Sequence, residues 1–408
     1  MADRIAYVLG RFPVLSETFI AREIRDLLEQ GVAIDVYALV RQPQGCAPPE
    51  AERFAEAVTF RPPLPRLAAA HPLRLARHLL AREGRQLRSE ARTGGAGWGM
   101  LAAGRVASAC WLADRVGRSG AGHIHAHFLG APAQVAYLAS RILRLPFSVS
   151  AHASDAFVRG RVTAFERRIA GEAAAIVTCS FSLAERLVLA HGLPSEKLLP
   201  IYHGIRAEEL QVDRRPQAPP VVLAVGRLVE KKGFHHLITA MALLRKAGHR
   251  FRCSIVGEGP ERPLLESLIA DARLGDQVEL LGARPFRDVV RLYGCASVLV
   301  APSIEATDGD MDGLPNVLLE AAAARVPIVA TTVSAIPELI RHEATGLLVS
   351  PHDAHGLAEA VGRILSDDAL ARDLAEAAHE RVLRHFDSRE SARRLAKLFE
   401  TQSGAGPK

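Results

Sequence analysis

Apolar residues in the first two hundred positions fall into short β-type runs separated by helical patterns. Ile5–Leu9 reads as a strand. Ser16 can cap a helix whose apolar positions Phe19, Ile20, Ile24, Leu27 and Leu28 recur at helical spacing, and Gly31 ends it. Ile34–Val40 is the next strand, and strand–helix pairs follow around His123–Phe128, Phe147–Ala151 and Ala175–Cys179. The polar stretch Gln211–Pro220, with Pro216, Pro219 and Pro220, interrupts this rhythm and reads as a linker. A second series then begins, with strands at Val221–Val225, Arg252–Val256, Val278–Leu281, Ser297–Ala301 and Ile328–Thr331. A last helix is capped at Asp387 or Ser388 and carries Ala392, Leu395, Leu398 and Phe399 on one side. Repeated βα units imply parallel sheets covered by helices. The pattern predicts an α/β protein of two Rossmann-like βαβ domains, 1–210 and 221–385, facing a central cleft across the linker 211–220, with 386–408 as a terminal helix. Ligands of such sheets bind outside the carboxyl ends of the strands.

Composition agrees with two globular cores: 408 residues, 49% hydrophobic, are too many for one ordinary domain. No apolar stretch is long enough to span a bilayer, and Met1–Phe12 lacks a signal-peptide pattern, so a cytoplasmic location is expected. The five cysteines (46, 110, 179, 253, 295) form no C-x-x-C pair and indicate neither a zinc site nor a disulfide framework. The net charge of +6 is uneven: residues 1–205 carry 25 basic and 17 acidic side chains, the remainder 26 and 28. A basic first half suits an anionic partner such as a phosphorylated acceptor, a membrane surface or nucleic acid. Arg61–Arg92 concentrates this bias, with eight Arg, two Glu and Leu at 64, 67, 73, 75, 79, 80 and 87. It is either a solvated surface helix or a contact for anionic lipid heads.

Chemistry concentrates after the linker. The run Val221–Phe234 places a buried strand before Gly226, then Arg227, then a polar loop with Lys231, Lys232 and Gly233. Arg227 and Lys232 would both overhang the strand's carboxyl end, one as a planar fork and one as a point charge, which suits a diphosphate. In Asp312–Glu320 one carboxylate precedes a helix starting near Pro315 and the other lies in its second turn, a pair able to grip polyol hydroxyls beside a phosphate at the helix start. His152 directly follows the strand Phe147–Ala151, at a carboxyl end facing the cleft. His123, His125 and His127 share one strand face, but no acidic or fourth ligand lies nearby in sequence, so they read as structural. Asp308–Gly313 mimics a calcium loop, yet its twelfth position is Leu319, and its D-x-D suits a single-domain architecture that the doubled pattern contradicts. No metal is expected.

Several motifs occur in order: GRL…EKKG from Gly226, VGEGPER (Val256–Arg262), LVAPS (Leu299–Ser303), DGLPNVLLEAAA from Asp312, IPELI (Ile336–Ile340) and TGLLVSPHD (Thr345–Asp353). Together they resemble the donor half of the family-4 glycosyltransferases of GT-B fold. Upstream, RFPVLSETFI (Arg11–Ile20), HIHAHF (His123–Phe128) and SAHASDAF (Ser150–Phe157) resemble the branch that builds bacterial exopolysaccharides such as colanic acid. Only about residues 43–120 fall outside the likeness.

The resemblance implies a role for each matching residue. Arg227 and Lys232 would neutralise the donor diphosphate, with the backbone at Gly10 approaching it. Glu320 would hold the nucleotide ribose, and Asp312, one methylene shorter than the family's Glu, would face the transferred sugar with Gly313, Leu314, Pro315 and Asn316. Gly257, Gly259 and the loop Gly282–Pro285 with Arg284 would lie beside the nucleotide and base. His152 would contact a sugar hydroxyl, Asp155 would orient it or bind acceptor, and Arg11 and Glu17 would lie on the acceptor side. Residues 1–210 become the acceptor side, 221–385 the donor side, and 386–408 a helix crossing back. The implied reaction is a retaining, metal-independent transfer of a hexose from a UDP- or GDP-sugar, needing no cofactor, to a saccharide acceptor. A polyprenyl-diphosphate-linked acceptor would place the protein at the inner face of the plasma membrane, and no nucleic acid is implied. Rival readings on the same fold are a nucleotide-sugar epimerase, a phosphorylase, or a non-catalytic sensor. Rapid isomerisation of UDP- or GDP-sugars without acceptor would mark the epimerase, and tight binding without turnover the sensor. A dinucleotide oxidoreductase is disfavoured because no G-x-G-x-x-G follows Ile5–Leu9.

Overall fold

The computed structural model describes residues 4–14, 17–43, 51, 54–70, 98–157 and 162–403. The first half contains β1 (Ile5–Phe12), α1 (Thr18–Glu29), β2 (Ile34–Arg41), β3 (Thr59–Phe60), α2 (Leu64–Ala70), α3 (Trp98–Ser119) and β4 (His123–His127). It continues with α4 (Ala131–Leu143), β5 (Phe147–Ala151), α5 (Ala153–Phe157), α6 (Ala164–Glu172), β6 (Ile176–Thr178), α7 (Phe181–His191) and β7 (Leu198–Pro200). The second half begins with β8 (Val221–Val225), α8 (Phe234–Lys246), β9 (Arg252–Val256), α9 (Arg262–Asp271), β10 (Val278–Gly282), α10 (Phe286–Cys295) and β11 (Val298–Ala301). It ends with α11 (Asn316–Ala323), β12 (Ile328–Thr331), α12 (Ile336–Leu339), β13 (Leu347–Val349), α13 (Ala354–Ser366), α14 (Asp368–His385) and α15 (Ser388–Ser403).

Seven parallel strands form one sheet in the order β3-β2-β1-β4-β5-β6-β7, and six form the other in the order β10-β9-β8-β11-β12-β13. Each is doubly wound, and the fold is the two-sheet GT-B architecture. The strand order reverses between β1 and β4 in the first sheet and between β8 and β11 in the second. Crevices at such switch points, outside the carboxyl ends, are where open α/β sheets bind ligands. The strands read as almost unbroken apolar runs because both faces are covered; β8 and β11 are buried nearly throughout.

Several boundaries differ from expectation. β1 does not end at Leu9: pairing with β2 continues through Arg11 opposite Val40 and Phe12 opposite Arg41, so Gly10 lies inside the strand. The edge strands β3, β7 and β13, two or three residues each, had no readable period. Ser16 lies outside the described residues, and Glu17, at the cap position of α1, makes no side-chain capping bond. Of the basic stretch 61–92, residues 71–92 lie outside the described residues.

The linker is pinned to the second half: the Arg215 amide donates to Gly294 O at 2.8 Å. The chain then returns. Ile205 bridges Asp387, and α15 lays Ala392, Leu395 and Phe399 into a core cluster with Ile5, Tyr7, Ile20 and Ile24 of the first sheet and α1. Phe399 packs against the rings of Tyr7, His123 and His125. A second tie is Glu338 on α12, whose carboxylate accepts the Phe181 and Ser182 amides at 3.1 and 2.7 Å and the Tyr202 hydroxyl at 2.7 Å. It caps the first turn of α7 from the opposite domain, satisfying amides that a helix start leaves without partners.

Candidate active site

The carboxyl end of β8 delivers Arg227, which is exposed and makes no side-chain hydrogen bond or ion pair among the described residues. One turn of 3-10 helix, Glu230–Lys232, follows and turns two lysines toward the acidic loop after β11. Lys232 Nζ lies 2.7 Å from Asp312 Oδ2, and Lys231 Nζ lies 2.9 Å from Asp310 and 3.8 Å from Asp312. Ser303, the last residue of LVAPS, donates to Asp312 Oδ2 at 3.2 Å, and its carbonyl accepts the Thr331 hydroxyl at 2.6 Å. Burial raises the Asp312 carboxyl, but Lys232 and Lys231 outweigh it and hold it below its ordinary range. Asp312 is therefore an ionised anchor between two cations. Of the D-x-D pair, Asp310 lies 2.9 Å from Lys231 Nζ and Asp308 accepts the Asp310 amide.

Gly257 and Gly259 are required by packing. Gly257 has φ +145°, and a β-carbon on it would stand 1.8 Å from Gly226 O; one on Gly259 would stand 2.3 Å from Leu228 O. The loops after β8 and β9 thus touch backbone to backbone, which a side chain forbids. Gly257 N–H donates to Gly282 O at 3.0 Å, joining the third loop, where Arg284 is exposed.

Asp312 leads into Gly313, Leu314 and Pro315, and Asn316 opens α11. A β-carbon on Gly313 would lie 3.5 Å from Ala153 Cβ and 3.5 Å from Cys179 Sγ, both in the first domain. Ala153 directly follows His152. The loop after Asp312 and the residue that follows His152 therefore meet across the domain boundary. Glu320 points the same way: its carboxylate lies 3.4 Å from Arg22 of α1 and accepts the Tyr293 hydroxyl at 2.9 Å. Arg22 also lies over the Phe286 ring, at 5.4 Å from its centroid.

His152 is buried. Its amide donates to Asp155 Oδ2 at 2.9 Å, so Asp155 fixes the turn after β5 through the backbone. Its ring packs with Phe19, Phe128 and His203, its Nε2 lies 3.2 Å from His127 Nδ1, and its Nδ1 is enclosed without a partner. Burial, then the neighbouring His127, His203 and His125, keeps its pKa well below normal, so the ring is neutral. Glu17 is half-buried at the start of α1, its carboxyl raised by burial against the pull of His127 and Arg11. Arg11 is exposed near the end of β1.

The histidines of β4, which have no acidic neighbour in sequence, meet one in space. His127 Nε2 lies 3.1 Å from Glu23 of α1, and Tyr7 donates to the same carboxylate oxygen at 3.0 Å. Glu23, His125 and His127 bring ligand-type atoms within 4.8 Å of one another. Their nitrogens are already engaged: His125 with Ser148 and Ser150, His127 with Glu23 and His152. The arrangement is a hydrogen-bonded network, and burial drops the adjoining His123 to about 4. Sequence reasoning missed Glu23, Arg22 and Glu338. Glu23 had a signal: it stands four residues from both Phe19 and Leu27, inside the apolar stripe of an amphipathic helix.

Comparison with known proteins fits this geometry. Residues 205–381 match the model described as Glycosyl transferases group 1, and residues 16–209 match Glycosyltransferase Family 4. The amylovoran biosynthesis glycosyltransferase AmsK of Erwinia amylovora is 35% identical over 220 residues, 53% of this chain and 54% of that protein. The putative colanic acid biosynthesis glycosyltransferase WcaL of Escherichia coli is 36% identical over 213 residues, 51% of this chain and 52% of that protein. The chain spans about half the length of these relatives. Anabaena HepE, solved with UDP, superposes with a TM-score of 0.71 at 18% identity, covering 98% of this chain and all of HepE. A Rickettsia africae glycosyltransferase gives 0.71 at 16%, covering 98% and 99%.

Proposed function

The chain belongs to the glycosyltransferases whose two halves these family models describe, and from that premise we propose that it moves a hexose from a UDP- or GDP-sugar to a saccharide acceptor in exopolysaccharide synthesis. The observation that supports this reading is the meeting of Gly313 with Ala153 and Cys179 across the domain boundary, one residue after Asp312 on one side and one residue after His152 on the other. Arg227 and Lys232 take the donor diphosphate as it leaves, and the N-terminus of helix α11 adds to them, so charge is stabilised without a metal. Asp312, released from Lys232 by the incoming phosphate, holds hydroxyls of the transferred sugar, and Glu320 takes the ribose. His152 contacts the sugar beside the reacting carbon. Configuration is retained, with the departing phosphate accepting the acceptor's proton, so no protein nucleophile is needed. The UDP complex of HepE supports a uridine donor.

The acceptor in this reading is a polyprenyl-diphosphate-linked saccharide. The basic stretch 61–92 would hold the first domain against an anionic membrane, each Arg adding about 1 kcal/mol, weakened by salt. No helix among the described residues is long and apolar enough to cross a membrane. The test is incubation with UDP- and GDP-sugars and anionic vesicles carrying membrane lipid extract, in chelator. Nucleoside diphosphate release coupled to a glycosylated lipid supports the reading; no transfer from any donor sinks it.

A further inference from the structure

Three side chains from three elements form one line: Glu23 on α1, His127 at the end of β4 and His152 after β5, linked at 3.1 and 3.2 Å. Each link needs one proton donor and one acceptor, so the state at one end fixes the other. Burial raises the Glu23 carboxyl, but its pKa lies below normal, and the bonds it accepts from His127 and Tyr7, which need no charge on either donor, favour the carboxylate. A carboxylate only accepts, and His127 must present Nε2–H to it. A neutral His127 then has a bare Nδ1, which accepts from His152 Nε2–H. That leaves His152 Nδ1 without a proton.

The reverse arrangement would need a doubly protonated His127 donating from both nitrogens and a His152 that carries its proton on Nδ1. Nδ1 is enclosed and has no partner. An orphaned buried N–H is rarer in folded proteins than an under-satisfied acceptor. The geometry favours the first arrangement.

We propose that Glu23, acting through His127, holds His152 in the tautomer with its proton on Nε2 and a bare Nδ1, so that Nδ1 can accept a hydrogen bond and cannot donate one. Glu23 and His127 are positioning residues, and Tyr7 steadies the carboxylate by donating to the same oxygen. A group that reaches Nδ1 must bring a proton, as a sugar hydroxyl does, and a carbonyl or ether oxygen there is rejected. This deepens the reading of His152 as sugar-facing and rests on it only for the identity of that hydroxyl.

The test is the long-range proton–nitrogen correlation spectrum of the free, full-length protein with nitrogen-15-labelled histidine, His152 being assigned from the His152→Gln variant. The expected spectrum has a protonated Nε2 and a bare Nδ1 for His152. In Glu23→Ala the two nitrogens move toward a common, averaged position, and kcat falls on the order of 10–100-fold, as outer partners of an oriented histidine do. A wild-type His152 protonated on Nδ1 overturns the proposal, as does an unchanged His152 pattern in Glu23→Ala or a shift on adding chelator, which would mean a metal between Glu23 and His127. If Glu23→Ala does not fold, the wild-type spectrum alone decides. No substrate is present, so an inactive protein with the expected tautomer counts against the proposed reaction and leaves this inference standing.

Discussion

The Arg22 guanidinium of α1 lies 3.4 Å from the Glu320 carboxylate of α11, an ion pair across the domain boundary with side-chain exposures of 2% and 8%. A buried charge that loses its partner is far more costly than the pair is worth. Arg22→Met should therefore lower unfolding stability by about 3–5 kcal/mol, while Arg22→Met with Glu320→Met recovers most of it. Chemical denaturation of the four proteins of this cycle measures the coupling, and a single variant as stable as wild type contradicts it.

Lys232 and Asp312 act together in the proposed transfer. Lys232→Ala should reduce turnover on the order of 10²-fold by removing a charge-assisted contact to the leaving diphosphate. Asp312→Asn should raise the KM for the sugar donor while Lys232 stays in place. Steady-state kinetics with the donor that supports transfer checks both; wild-type values in Lys232→Ala remove the lysine from the diphosphate site.

How much of this was legible in the sequence varies with distance. Arg227, Lys232, Asp312 and Glu320 lie at strand ends and a helix start, where local pattern and ordered motifs point to them. Glu23 and His127 come together only through packing between residues 104 positions apart. Gly257 and Gly259 read as nucleotide glycines, but their immediate physical need is the touching backbones of the loops after β8 and β9. The expectation that β1 ended at Leu9 failed because Gly10 punctuates sequence without interrupting a strand paired through Phe12.

The buried histidines set an acid limit. Burial holds His123 and His203 at about 4 and lowers His125 and His152, whereas unfolded histidine titrates near 6.5. Between about 6.5 and 4 the unfolded chain takes up protons that the native protein does not, so stability falls as pH falls through that window. Thermal unfolding should show a Tm several degrees lower at about pH 5 than at about pH 7.5. A higher Tm at the acid value contradicts the buried, neutral assignment.

Phe399 fastens α15 to the first sheet through Tyr7, His123 and His125. Phe399→Ala should cost about 3–5 kcal/mol, and a chain truncated before Phe386 should lose transfer activity together with cooperative unfolding. Denaturation midpoints and an activity assay on both proteins check this; an active, cooperatively folded truncation contradicts it.

The central claim is that the cations at the carboxyl end of β8 bind a nucleoside diphosphate without a metal. Its most direct measurement is calorimetric titration of UDP and GDP, in chelator, into the wild-type protein and Arg227→Ala. The account predicts one site for one of the two nucleotides in the wild type and an affinity at least about tenfold weaker in the variant, the loss of one charge-assisted contact. Failure of both nucleotides to bind, binding only after manganese or magnesium is restored, or equal affinity in Arg227→Ala would contradict it.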